Sequence, residues 1–92
     1  MKKLTEIFNV KESMAFKATY GDETKAAKVL LDVLMDRIGA EYDSVQKAKL
    51  VKELVSYISD GYYYDSAGIE WFDPNKAADA FEAESLDLDR LL

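Results

Sequence analysis

Residues 21–61, GDETKAAKVLLDVLMDRIGAEYDSVQKAKLVKELVSYISDG, decide the fold. Gly21-Asp22 offers a chain break and an N-cap, Ala27, Leu30, Leu31, Leu34 and Ile38 recur at helical spacing, and Gly39 supplies a stop. A helix is predicted from about residue 23 to residue 38. Asp43 followed three positions on by Gln46 has the form of a capping box, and Val45, Ala48, Val51, Leu54, Val55 and Ile58 make one apolar stripe that Gly61 ends. A second helix is predicted over about 44–59. The connection between the two is short, which favours an antiparallel pair packed through their aliphatic faces.

Working outward, the periodicity changes after Gly61. Tyr62-Tyr63-Tyr64 and Ile69-Glu70-Trp71-Phe72 are β-prone runs separated by Asp65-Ser66-Ala67-Gly68, which fits either a small hairpin or an irregular aromatic loop. Asp73-Pro74 is a helix start, because Asp caps and proline is pre-organised for the first helical position. Ala77, Ala78, Phe81, Leu88 and Leu92 then line the inner face of a last helix, with a break near Ser85. On the N-terminal side, Leu4, Ile7 and Phe8 fit a short amphipathic helix, whereas Met14, Phe16, Ala18 and Tyr20 alternate as in a strand, so residues 13–20 stay open between helix and strand. No repeat, low-complexity tract or linker divides the chain. The expectation is a mainly α single domain over residues 1–92, with three to four helices around one small core and a short β-hairpin near 62–72.

Composition removes several functions. The chain has no Cys and no His, which takes away disulfides, thiolate metal sites, the usual Ser-His-acid and Cys-His machinery and the commonest metal ligand. An enzyme is not expected, and neither is a cofactor or metal. Carboxylate-only chemistry would have to use pairs such as Asp65 with Glu70 or Asp60 with Asp73. A calcium loop starting at Asp60 fails, since Tyr62, Tyr64, Asp65 and Trp71 fall where oxygen ligands, glycine and glutamate are needed. The glycines are isolated and form no phosphate loop. No apolar run approaches the roughly 20 residues that span a bilayer, and a cytoplasmic location is expected.

Charge is distributed unevenly. Residues 1–52 carry ten Lys/Arg against eight Asp/Glu, for +2, whereas residues 53–92 carry Lys76 and Arg90 against ten acids, for −8; the two sum to the net −6. The acidic part also holds seven of the eleven aromatic residues: Tyr57, Tyr62, Tyr63, Tyr64, Trp71, Phe72 and Phe81. Net negative charge argues against direct binding to nucleic acid or an anionic membrane, because phosphate contacts need Lys or Arg. It favours a basic protein as partner. Trp71, Phe72 and Phe81 are expected to be largely core. Three successive tyrosines cannot all bury in an extended segment, so at least one is exposed and suited to an interface. Asp79, Glu82, Glu84, Asp87 and Asp89 have no lysine among them for i,i+4 pairing, and their mutual repulsion is expected to serve a basic partner.

The run from Ser56 to Asp73 resembles the acidic, tyrosine-rich stretches of small phage-encoded anti-restriction and anti-CRISPR proteins. Tyr63-Tyr64-Asp65 supplies a tyrosine pair followed by an acid, and Gly68-Ile69-Glu70 a Gly-Ile-acid step. The resemblance covers about a fifth of the chain. It implies a mainly helical, non-catalytic and often dimeric DNA mimic that occupies the DNA-binding groove of a host enzyme. The near-neutral N-terminal half confines such mimicry to one face. The expected partner-binding residues are Asp60, Tyr62, Tyr64, Asp65, Glu70, Asp73, Asp79, Glu82, Glu84, Asp87 and Asp89, facing a basic nucleic-acid-binding host protein. The competing expectation is a structural or adaptor protein whose faces Leu30/Leu34/Ile38 and Val51/Leu54/Ile58 form an oligomer interface.

Overall fold

Local capping chemistry sets where each element begins. In the computed structural model, which describes residues 15–19 and 21–92, the Asp43 carboxylate accepts the Gln46 N–H while the Gln46 side chain accepts the Asp43 N–H. This reciprocal box opens helix α2, Ser44–Leu54. The preceding helix α1, Glu23–Ile38, ends at Gly39, which adopts φ +66° and returns its N–H to the Met35 carbonyl. That left-handed stop is inexpensive only for glycine. Asp73 caps helix α3, Pro74–Ala83, by accepting the Asn75 N–H, with Pro74 at the first turn as expected. Ser85 at φ +59° breaks the chain, and a one-turn helix α4, Leu88–Leu91, follows with Asp87 as its cap. Asp22 differs from the expectation. It occupies the cap position of α1 but its side chain accepts the Thr19 hydroxyl instead of a helix N–H.

Three short strands complete the fold: β1, Phe16–Lys17; β2, Tyr62–Tyr64; and β3, Glu70–Phe72. They form an antiparallel sheet in the order β1-β3-β2, pairing Phe16 with Phe72 and Tyr63 with Trp71. The hairpin expected near 62–72 is present, and the strand-like alternation around Phe16 proves to be the sheet's third member. The helix suggested by Leu4, Ile7 and Phe8 lies outside the described residues.

The second helix is shorter than its sequence pattern suggests. It gives way after Leu54 to two 3₁₀ turns, Val55–Tyr57 and Ser59–Gly61. Residues 55–59 include β-branched, aromatic and serine side chains that favour α-helix weakly, so a tighter turn costs little there. The buried stripe is also rotated from the predicted one. Leu54 and Ile58 are buried as predicted, but the third buried residue is Leu50, outside the predicted stripe, whereas Val45 is 78% exposed and Val55 37%. Their core partners are Ala26, Ala27, Leu30, Leu31 and Leu34 of α1, Phe72 of β3, Ala77, Ala78 and Phe81 of α3, and Leu88 of α4. One core therefore joins all four helices and the sheet. Phe72 and Phe81 are buried as expected, while Trp71 is half-buried.

The chain passes close to its neighbours at Gly61. A Cβ there would lie 2.5 Å from the Phe72 ring, 2.9 Å from the Asp73 carbonyl oxygen and 3.0 Å from the Ala77 Cβ. Glycine is needed for space, allowing the turn before β2 to lie against β3 and α3. Gly61→Ala is expected to cost about 1–3 kcal/mol by overpacking, a fall of roughly 5–20 °C in the thermal midpoint at this chain length. A calorimetric midpoint within a degree of wild type would show that the crossing relaxes freely.

Candidate functional site

Much of the expected acidic site is occupied by structural work. Arg37, near the end of α1, donates to Asp79 and Glu82 of α3 at 2.9 Å each, with a longer contact to the Asn75 side chain. Those two carboxylates were expected to lack a compensating cation. The fold corrects that reading with an arginine 42 and 45 residues away in sequence. Asp89 accepts the Tyr42 hydroxyl at 2.8 Å, and desolvation together with that bond and the Asp89 and Asp87 charges raises the Tyr42 pKa above the ordinary phenol value. Asp87 and Asp73 cap helices. Tyr62 packs its ring 4.9 Å from that of Phe72.

Asp65 organises the hairpin turn. One carboxylate oxygen accepts the N–H groups of Ala67 and Ile69, at 2.8 and 3.0 Å, and the other accepts the Trp71 indole N–H at 2.8 Å. The Ile69 amide first, then the Trp71 indole and the Ala67 and Gly68 amides, hold the Asp65 pKa below its ordinary value against a smaller opposing desolvation. A depressed carboxylate pKa stabilises the fold above the unfolded value near 3.8, and the contribution is lost as pH falls through the lower folded value. The Trp71 indole N–H resonance is therefore expected to hold steady from neutral pH down to about 4 and to shift only below it. A midpoint at or above the ordinary carboxylate value would contradict this. Asp65→Asn should remove the transition.

Asp60, Tyr64, Glu70 and Glu84 remain. No side-chain hydrogen bond or ion pair engages them among the described residues, and Tyr64 is 69% exposed. The three acids are distributed over two clefts that share Ser59, and Tyr64 lines neither. A groove of about 670 Å³ collects Glu70 and Tyr62 with Asp22 and Glu23 from the start of α1. The Tyr62 hydroxyl titrates above the ordinary phenol value, raised first by burial and then by the charges of Glu23, Glu70 and Asp22. On the other side of the Ser59–Gly61 turn, a cleft of about 200 Å³ holds Asp60 and Glu84 between Ser56, Tyr57 and Phe81. Among the described residues no Lys or Arg lines either cleft.

Asp22 and Glu23, read in the sequence only as the start of a helix, were not among the expected site residues. They belong to the near-neutral half of the chain, and only tertiary structure places them beside Glu70. The carboxylate pairs considered for catalysis are not assembled: Asp60 shares its cleft with Glu84, Glu70 shares its groove with Asp22 and Glu23, and Asp65 and Asp73 bind main chain. No group of three acids suited to a metal ion exists among the described residues. No described helix is long and apolar enough to cross a membrane.

The aliphatic faces considered for oligomerisation lie mostly inside the protomer. Leu30, Leu34, Leu54 and Ile58 are buried in the core, leaving Ile38 exposed and Val51 half-buried. A shallow apolar groove of about 540 Å³ does run between α1 and α2, lined by Leu31, Ala48 and Val51 and rimmed by Lys28, Lys47 and Asp32. No family model, curated protein or solved structure matches the chain.

Proposed function

We propose that this is a non-catalytic acidic binding protein that inhibits or modulates a basic, nucleic-acid-binding protein by offering it a DNA-like anionic surface. One observation carries the reading: five carboxylates, Asp22, Glu23, Asp60, Glu70 and Glu84, flank the Ser59–Gly61 turn in two clefts without a neutralising cation among the described residues. Leaving like charges together is unfavourable for an isolated protein, and a cationic partner reverses the sign of that term. Exposed Tyr64 and half-buried Tyr62 add rigid aromatic area beside the charge, a composition suited to an interface. The surface differs from the purely C-terminal one expected from sequence. It draws two acids from α1 and releases Asp65, Asp73, Asp79, Glu82, Asp87 and Asp89 to structural roles.

The test is affinity capture from nuclease-treated bacterial lysate at about 0.05 and 0.5 M salt, followed by competition with DNA. A captured protein that elutes with salt, and whose DNA binding is lost in stoichiometric proportion to this protein added, supports the proposal. Capture that is insensitive to salt, or a partner whose DNA binding is untouched, overturns it.

A further inference from the structure

The open edge of β2 is the structural feature that says how a basic partner would be held. In an antiparallel ladder, residues alternate between those whose N–H and C=O face the neighbouring strand and those whose groups face away. Asp73 donates to the Gly61 carbonyl at 2.8 Å and Asp65 to the Ile69 carbonyl at 2.9 Å. With Tyr63 opposite Trp71 in the same register, it is Gly61, Tyr63 and Asp65 that bond to β3. The main-chain groups of Tyr62 and Tyr64 therefore face outward. The Tyr62 N–H is satisfied by the Ser59 carbonyl. Three groups are left at the edge by the described residues: the Tyr62 C=O, the Tyr64 N–H and the Tyr64 C=O. The third strand, β1, lies on the far side of β3 and does not cover them.

We propose that this edge accepts an extended, lysine- or arginine-bearing segment of the basic partner as a fourth strand. The inference rests on the acidic-capture reading above and specifies its geometry. A residue paired opposite Tyr64 would donate its N–H to the Tyr64 C=O and accept the Tyr64 N–H, and the residue two positions along would donate to the Tyr62 C=O. Side chains of such a pair stand on the same sheet face as Tyr62, Tyr64 and Glu70. That face adjoins the groove of Asp22, Glu23 and Glu70. Charge complementarity thus selects cations at alternate positions of the incoming strand, with one stacked on the exposed Tyr64 ring and the other directed into the acidic groove. An exposed edge without a partner is an association hazard, which a very short strand keeps small.

The probe is a blocked ten-residue peptide of alternating Lys and Thr, compared with two forms N-methylated either at every Lys or at every Thr. All three carry the same charge. Strand addition uses the Lys amides, so Lys methylation is expected to weaken binding by at least about tenfold and Thr methylation by less than about twofold. On peptide addition, hydrogen exchange at the Tyr64 amide should slow by at least about tenfold. Tyr64→Pro removes the outward N–H without touching a β2–β3 hydrogen bond, a substitution suited to an edge strand, and should weaken the unmethylated peptide similarly. Equal binding by all three peptides with unchanged Tyr64 exchange would overturn strand addition while leaving acidic capture standing. Binding by none of them at low salt would overturn both.

Discussion

Phe72→Ala is expected to remove about 3–5 kcal/mol of stability, the range for deleting a fully buried phenylalanine. Phe72 is 0% exposed and occupies the central strand, with the ring of Phe16 at 5.6 Å on one side and that of Tyr62 at 4.9 Å on the other. It also forms the wall against which Gly61 fits. Deleting the ring therefore leaves a cavity touched by both the sheet and the turn. A domain of 92 residues has a total stability of roughly 5–14 kcal/mol. The variant should show a urea midpoint reduced by about a fifth or more with little change in slope. Phe72→Leu keeps most of the volume and should cost less than half as much. A loss below about 1 kcal/mol for the alanine variant would mean that the sheet is held by the helices alone.

The features that were legible in the sequence are those whose chemistry closes within three or four residues. Gly39 as a left-handed stop, Asp43 with Gln46 as a reciprocal cap, and Asp73-Pro74 as a helix start each involve groups adjacent along the chain, and each stands where expected. The change of period after Gly61 likewise marks the hairpin. Rotation of α2 was not legible. The predicted stripe shares Leu54 and Ile58 with the buried one, and whether Val45, Ala48 and Val55 or Leu50 joins them depends on what α1 and β3 present opposite. The larger leucines fill that space. Long-range pairing was equally hidden. Nothing near Asp79 and Glu82 announces Arg37, and nothing near Glu70 announces Asp22 and Glu23. Counting charge along the chain thus shows neither that Asp79 and Glu82 are paired nor that Asp22 and Glu23 lie in one groove with Glu70.

This division of the acids makes a sharp prediction. Neutralising Glu23, Asp60, Glu70 and Glu84 together, to glutamine or asparagine, is expected to weaken a salt-eluted partner by about 10–100-fold, at a few tenths to 1 kcal/mol per exposed charge pair. The thermal midpoint should stay level or rise, since like charges that share a cleft are removed and no ion pair among the described residues is lost. Neutralising Asp79, Glu82, Asp87 and Asp89 removes the same number of negative charges. Here both Arg37 ion pairs are lost and the Tyr42 hydrogen bond loses its charge, while asparagine at 87 still caps α4. Stability should fall by about 1–2 kcal/mol, up to about 1 for each exposed pair. Partner affinity, measured at a temperature where both variants remain folded, should change by less than about threefold. Net charge is identical in the two variants, so a partner that merely sensed overall charge would respond equally to both. Equal loss of affinity would therefore dismiss a localised site, and the reverse pattern, with affinity lost only in the second variant, would move the site to the face of α3 and α4.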